Sequence, residues 1–141
     1  MIYLDTSVVV AYYCPEPISK RAEAIVRGRR AVFISDLTEV EFFSAVSRKL
    51  RTREIQLDDA LAIRNHFVAH LNEGVYRRAS LGPHHIQAAR EFISAFTTPL
   101  RTLDALHLAI AAFDKLQLVT ADEAFATAAK ALSIKATFVT S

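Results

Sequence analysis

Ile2-Tyr3-Leu4-Asp5-Thr6-Ser7 opens the chain with three apolar residues that stop at an acid. Leu118-Val119-Thr120-Ala121-Asp122 repeats that arrangement near the other end. Short apolar runs rich in β-branched residues read as buried strands, and an acid at the tip marks the turn that follows. The second of these runs begins at Leu116, and Ala31 to Ile34 and Ala136 to Val139 have similar length and composition. Val75-Tyr76-Arg77 reads as one further short strand. Helical stretches lie between them, from about Ser19 to Arg29, Leu37 to Thr52, Leu57 to Asn72, His84 to Ala95, Leu103 to Lys115 and Glu123 to Leu132. Asp58, Ser80 and Thr102 stand where N-terminal caps are expected. Alternating strands and helices, without an Asn-Gly or Asp-Gly hairpin signal, predict an α/β fold with a mostly parallel sheet. Ligands of such sheets bind beyond the carboxyl ends of the strands, where strand order reverses. Asp5 and Asp122 are therefore where chemistry is expected.

The 141 residues fit a single domain over 1–141, and 52% apolar content is enough to line its core. With 3 Gly and 4 Pro, neither disorder nor a loop-rich β-sandwich is expected. A net charge of +2 neither requires nor excludes a nucleic-acid partner. The single cysteine, Cys14, removes disulfide frameworks and Cys-based zinc or iron–sulfur clusters, and fits a reducing cytosol. No basic leader precedes the first apolar run, and the longest such run, Val8 to Cys14, is far short of the roughly 20 residues of a spanning helix. A cytoplasmic domain without membrane attachment is expected.

The missing motifs narrow the chemistry. Gly28, Gly74 and Gly82 are the only glycines, so no G-x-G-x-x-G and no Walker A loop can form. No G-x-S-x-G elbow supplies a nucleophile. His66 and His70 have metal-compatible spacing but lack the Glu of H-E-x-x-H and any Cys partner. His84-His85 opens a helix, where capping or exposure is the simpler role.

Four carboxylates remain. Asp5 and Asp122 end strands; each alone reads equally well as a helix cap, but two at one sheet end can converge on a cation that offsets their repulsion. Asp104, in Arg101-Thr102-Leu103-Asp104-Ala105-Leu106-His107-Leu108-Ala109, lies in a first helical turn that favours negative charge, on a helix apolar almost all round. Glu41 must be separated from Glu39. With Asp36 as N-cap, Glu39 falls at the N3 position of a capping box and has a local task. Glu41 has none, and shares a stripe with Ser44 and Arg48 on a helix otherwise carrying Leu37, Val40, Phe42, Phe43, Val46 and Leu50. Asp5, Glu41, Asp104 and Asp122 form an oxygen-only set that suits hard Mg²⁺ or Mn²⁺. Acidic sites holding such ions serve phosphodiester hydrolysis.

In order along the chain, Leu4-Asp5-Thr6-Ser7-Val8-Val9, Ser35 through Phe42, Leu103 through Ala109, and Val119-Thr120-Ala121-Asp122 resemble the four motifs of PIN domains, and more narrowly of VapC-type toxin ribonucleases. The resemblance covers essentially the whole chain. It implies a Rossmann-like three-layer α/β/α sandwich, Mg²⁺- or Mn²⁺-dependent endoribonuclease activity, homodimerisation, and inhibition by a cognate antitoxin. It also implies that Asp5, Glu41, Asp104 and Asp122 are the catalytic metal ligands. Thr6 resembles the hydroxyl that orients ligands there, with Ser7 assisting. His107 is expected to pack.

Other classes fit less well. An Asp-nucleophile phosphatase of the haloacid-dehalogenase pattern needs an acid two residues after Asp5, where Ser7 stands. A PIN fold kept only as a binding or regulatory module would not need all four acids. Arg48, Lys49, Arg51 and Arg53, with Arg77, Arg78 and Arg101 elsewhere, offer contacts to an RNA backbone, although a solvated helix end explains the cluster equally well. Phe42 and Phe43 point about 100° apart, so a second copy of the chain is expected to cover the surplus apolar face. An Arg or Lys from the antitoxin is expected to neutralise the acids.

Overall fold

A computed structural model describes all residues, 1–141. The chain runs β1 (Ile2–Leu4), α1 (Thr6–Tyr13), α2 (Ser19–Val26), β2 (Val32–Ser35), α3 (Asp36–Arg51), α4 (Leu57–Asn72), β3 (Arg77–Ala79), α5 (Pro83–Ser94), α6 (Thr102–Phe113), β4 (Gln117–Thr120), α7 (Glu123–Ala131) and β5 (Ala136–Phe138). The five strands form one sheet, ordered β3-β2-β1-β4-β5, with every pairing parallel. Strand side chains alternate between faces, which divides the core in two. Ile2 and Leu4 face the layer of α1 to α4, with Phe42 and Phe67 at its centre. Tyr3 and Leu118 face the layer of α5 to α7, packed on Leu108 and Phe125. The expected three-layer α/β/α sandwich is the observed one. No helix is long and apolar enough to cross a membrane.

Strand order reverses at β1, because the chain builds β2 and β3 on one side of it and β4 and β5 on the other. Leu4 is in register with Val119, so Asp5 and the turn after β4 emerge side by side at the same sheet end. The Asp5 amide also donates to the Val119 carbonyl, at 2.9 Å.

Several local expectations are corrected. The run Val8 to Cys14 is not merely apolar but lies largely in α1, which no sequence period disclosed. Its β-branched residues are poor helix formers, and it has almost no polar face, since Val8, Val9, Val10 and Ala11 are all buried. Burial on the sheet overrides propensity here. Asp58, Ser80 and Thr102 are not the caps; Gln56, Gly82 and Arg101 precede the three helices, and Pro83 takes the first helical position of α5. The strand read at Val75-Tyr76-Arg77 forms two residues later. Ser35, not Asp36, caps α3, with Thr38 Oγ1 accepting from the Ser35 amide at 3.1 Å. Glu39 therefore has no capping role and pairs instead with Arg78, one of its two contacts measuring 2.8 Å.

Phe43 corrects the argument made from the two aromatics. Phe42 is fully buried and Phe43 half-buried, and both rings meet Phe67 of α4, at centroid separations of 4.1 and 5.7 Å. The large apolar side chain that α3 leaves in solvent is Val40.

Candidate metal centre

The two strand-tip aspartates have different tasks. Asp5 occupies the N-cap position of α1 but makes no side-chain cap. Its Oδ2 accepts instead from Ser7 Oγ and Thr120 Oγ1, both at 2.8 Å. Asp122 does cap: its Oδ1 accepts from the Phe125 amide at 3.1 Å, at the start of α7. The same two hydroxyls lock the turn after β4, since Ser7 Oγ accepts the Ala121 amide and Thr120 Oγ1 the Asp122 amide, each at 3.0 Å.

Glu41 projects from the second turn of α3. Its Oε1 accepts from Thr6 Oγ1 at 2.9 Å and also meets Nε2 of the fully buried His107. Burial alone would raise its pKa, but hydrogen bonds from His107 and Thr6, with the charge of Arg101, hold the carboxyl below its ordinary value. Asp104 shows the opposite balance. Burial, reinforced by the charges of Asp5 and Asp122, pushes it above the ordinary carboxylate range, although Arg101 opposes the shift. Nε of Arg101 lies 3.3 Å from Asp104 Oδ2, and its Nη2 lies 3.7 Å from Asp122 Oδ2.

A common design emerges for three of the acids. Asp5, Glu41 and Asp122 each have one oxygen held by protein donors other than arginine, and the other oxygen without such a donor. Donors fixed behind a carboxylate orient it, as is usual around metal ligands. The donor set is hard, anionic and oxygen-only, and its acids electrostatically oppose one another at Asp104, so it fits Mg²⁺ or Mn²⁺.

Three of the acids open onto two depressions, while Asp5 is buried and lines neither. Glu41 lines a groove of about 980 Å³ with Thr6, Ser7, Ser44, Arg48 and Lys49. Asp104 and Asp122 line a smaller one of about 80 Å³ with Arg101. Of the four helix-end cations, only Arg48 and Lys49 reach the groove, and Lys49 is paired with Glu16 at 3.1 Å. Arg51 donates to Ser47, and Arg53 occupies a left-handed turn after α3. Sequence reasoning missed Thr120 as the second donor to Asp5, though it stands two residues before Asp122 on a strand tip. It also puts packing before chemistry for His107; the place of that residue three positions after Asp104, on one helical face, was the available signal.

His84, His85 and Asp114 bring donor atoms within 4.8 Å of one another, a closeness that no three of the four acids reach. Both His85 nitrogens are in use there, Nδ1 by the Gly82 amide and Nε2 by Asp114, each at 2.9 Å. The trio ties the start of α5 to the end of α6; of the two roles read for His84-His85, buried His85 takes capping and His84 exposure.

An open parallel sheet with carboxylates at its switch point defines an α/β sandwich built around an acidic site. More narrowly, the chain belongs to the PIN domain family, whose model matches residues 2–131. Among solved structures it resembles FitAcB from Neisseria gonorrhoeae, with 19% identity over 97% of this chain and 96% of that one and a TM-score of 0.72. It also resembles VapC20 of Mycobacterium tuberculosis, a sarcin–ricin-loop-cleaving toxin, at 18% identity, 91% and 95% coverage and a TM-score of 0.68. VapBC2 from Rickettsia felis, bound to a DNA fragment of its promoter, matches at 15% identity, 99% and 100% coverage and a TM-score of 0.70. No curated protein sequence matches the chain.

Proposed function

We propose that this protein is a Mg²⁺- or Mn²⁺-dependent endoribonuclease acting as the toxin of a toxin–antitoxin pair. The observation that carries the reading is the set of carboxylates at the β1/β4 switch point, with Asp5 and Glu41 each held through one oxygen by buried or half-buried donors. Membership of the PIN family and the likeness to a toxin that cleaves the sarcin–ricin loop support it.

Asp5, Glu41, Asp104 and Asp122 would hold the ion, with Thr6, Ser7 and Thr120 fixing the oxygens of Glu41 and Asp5. When bound, the ion supplies polarisation of the phosphoryl oxygen, activation of the attacking water and stabilisation of the leaving oxygen. Arg48 and Lys49, lining the groove beside Glu41, attract the RNA backbone and carry no base specificity. Arg51 and Arg53 stand outside that lining, and the RNA track omits them. A protein antitoxin inhibits by covering the groove and presenting a cation to the acids. The protein is further read as a homodimer in the cytoplasm, formed through exposed apolar side chains such as Val40 rather than Phe43.

The deciding experiment is cleavage of RNA by purified protein with Mg²⁺, with Mn²⁺ and with EDTA, alongside Asp5→Asn. Cleavage that needs the ion and is lost in the variant is expected; undiminished cleavage in EDTA would reject the mechanism. Sedimentation at micromolar concentration tests the dimer, and a clean 15.7 kDa monomer would reject it.

A further inference from the structure

Beneath the acidic site runs a buried polar chain that none of the roles above assigns. Ser35 Oγ lies 2.7 Å from the Tyr3 hydroxyl, which lies 2.6 Å from Nδ1 of His107. Nε2 of the same ring meets Glu41 Oε1. Ser35, Tyr3 and His107 are completely buried, at 0% exposure each, so no water competes for these bonds. The chain joins β2, β1, α6 and α3, the elements that carry or adjoin Asp5, Glu41 and Asp104.

We infer that Tyr3 and His107 are positioning residues that fix Glu41 Oε1 from behind and leave Oε2 to face the cation. The inference rests on the metal-centre reading of Glu41. Hydrogen-bond accounting supports it. With a neutral imidazole facing an ionised Glu41, one direction satisfies every bond: Ser35 O–H to the Tyr3 oxygen, Tyr3 O–H to Nδ1, and Nε2–H to Glu41. The tyrosine thereby selects the histidine tautomer that donates to Glu41, as outer partners of ligand-bearing groups commonly do. With Thr6 Oγ1 also donating to Oε1, that oxygen has two donors, and rotation of the carboxylate would break both bonds.

The test is Mn²⁺ titration of the full chain, following free ion by electron paramagnetic resonance, with the metal alone as probe. Tyr3→Phe, which removes one oxygen, should weaken Mn²⁺ binding roughly tenfold. His107→Leu should weaken it at least as much. His107→Gln should restore part of the loss, because its amide N–H can replace Nε2–H. In a Glu41→Gln background, Tyr3→Phe should have no further effect, since the hydroxyl acts only through that side chain. An equal loss in both backgrounds would mark Tyr3 as merely structural and overturn the inference. The imidazole ¹⁵N spectrum of metal-free protein is a separate readout. It should show His107 protonated at Nε2 and bare at Nδ1, with that preference lost in Tyr3→Phe; the opposite tautomer overturns the relay. If the wild-type chain binds no Mn²⁺ while the tautomer is as expected, the metal reading fails, and the histidine–tyrosine pair keeps only its hold on Glu41.

Discussion

At the scale of single residues, the proposed centre depends on charge and on how each charge is held. Asp5→Asn and Asp104→Asn each replace an anionic oxygen with an amide, and each should lower RNA cleavage at least about 100-fold, with Mn²⁺ affinity falling in parallel. Thr120→Val removes a donor to Asp5 without changing shape, and should weaken Mn²⁺ binding about tenfold while Thr120→Ser should not. Glu39 makes a useful contrast. Its partner Arg78 is half exposed, and such a pair contributes at most about 1 kcal/mol. Glu39→Gln should therefore leave Mn²⁺ binding unchanged; damage equal to that of Glu41→Gln would mean the two glutamates have been assigned the wrong way round.

At the scale of elements, Asp122 caps a helix and is proposed to hold the ion as well. Asp122→Ala removes the cap of α7 and should cost about 1 kcal/mol in urea denaturation. Asp122→Asn keeps a good cap and should cost much less, yet both should weaken Mn²⁺ binding. Loss of binding confined to the alanine variant would leave Asp122 a cap and nothing more. The packing of α1, α3 and α4 is concentrated in one aromatic cluster, where Phe67 meets Tyr13, Phe42 and Phe43. Phe67→Ala should lower stability by about 3–5 kcal/mol by opening a cavity between these helices, measured by the same denaturation.

At the scale of the molecule, the site exists because β1 and β4 are neighbours although almost the whole chain separates them. Parallel register brings Leu4 beside Val119, and the acids that follow each strand then share one end of the sheet. A substrate whose backbone is held by Arg48 and Lys49 makes cleavage sensitive to ionic strength. Cleavage under substrate-limiting conditions should fall as salt rises from 50 to about 200 mM, and fall less steeply in Arg48→Ala. An equal salt slope in the variant would place the RNA elsewhere.

Much of this was legible in the residues themselves. Strand–helix alternation, the absence of hairpin turns and the two strand-tip acids fix an α/β fold with its chemistry at one sheet end, because period and turn chemistry are local properties. The separation of Glu41 from Glu39 was also visible, although through a cap that proved to belong to Ser35. Other features came only with tertiary contacts. α1 is helical because burial on the sheet outweighs β-branched propensity, which no local period reports. Asp5 and Asp122 look alike in sequence, and it takes the hydroxyl of Thr120, arriving from β4, together with that of Ser7 to hold Asp5 away from a helix cap. His107 reads as a packing residue until Tyr3 and Glu41 are brought to its two nitrogens from β1 and α3. Hydrogen bonds between distant segments leave no local signature, so the four carboxylates stand out in the sequence but the groups that hold them do not.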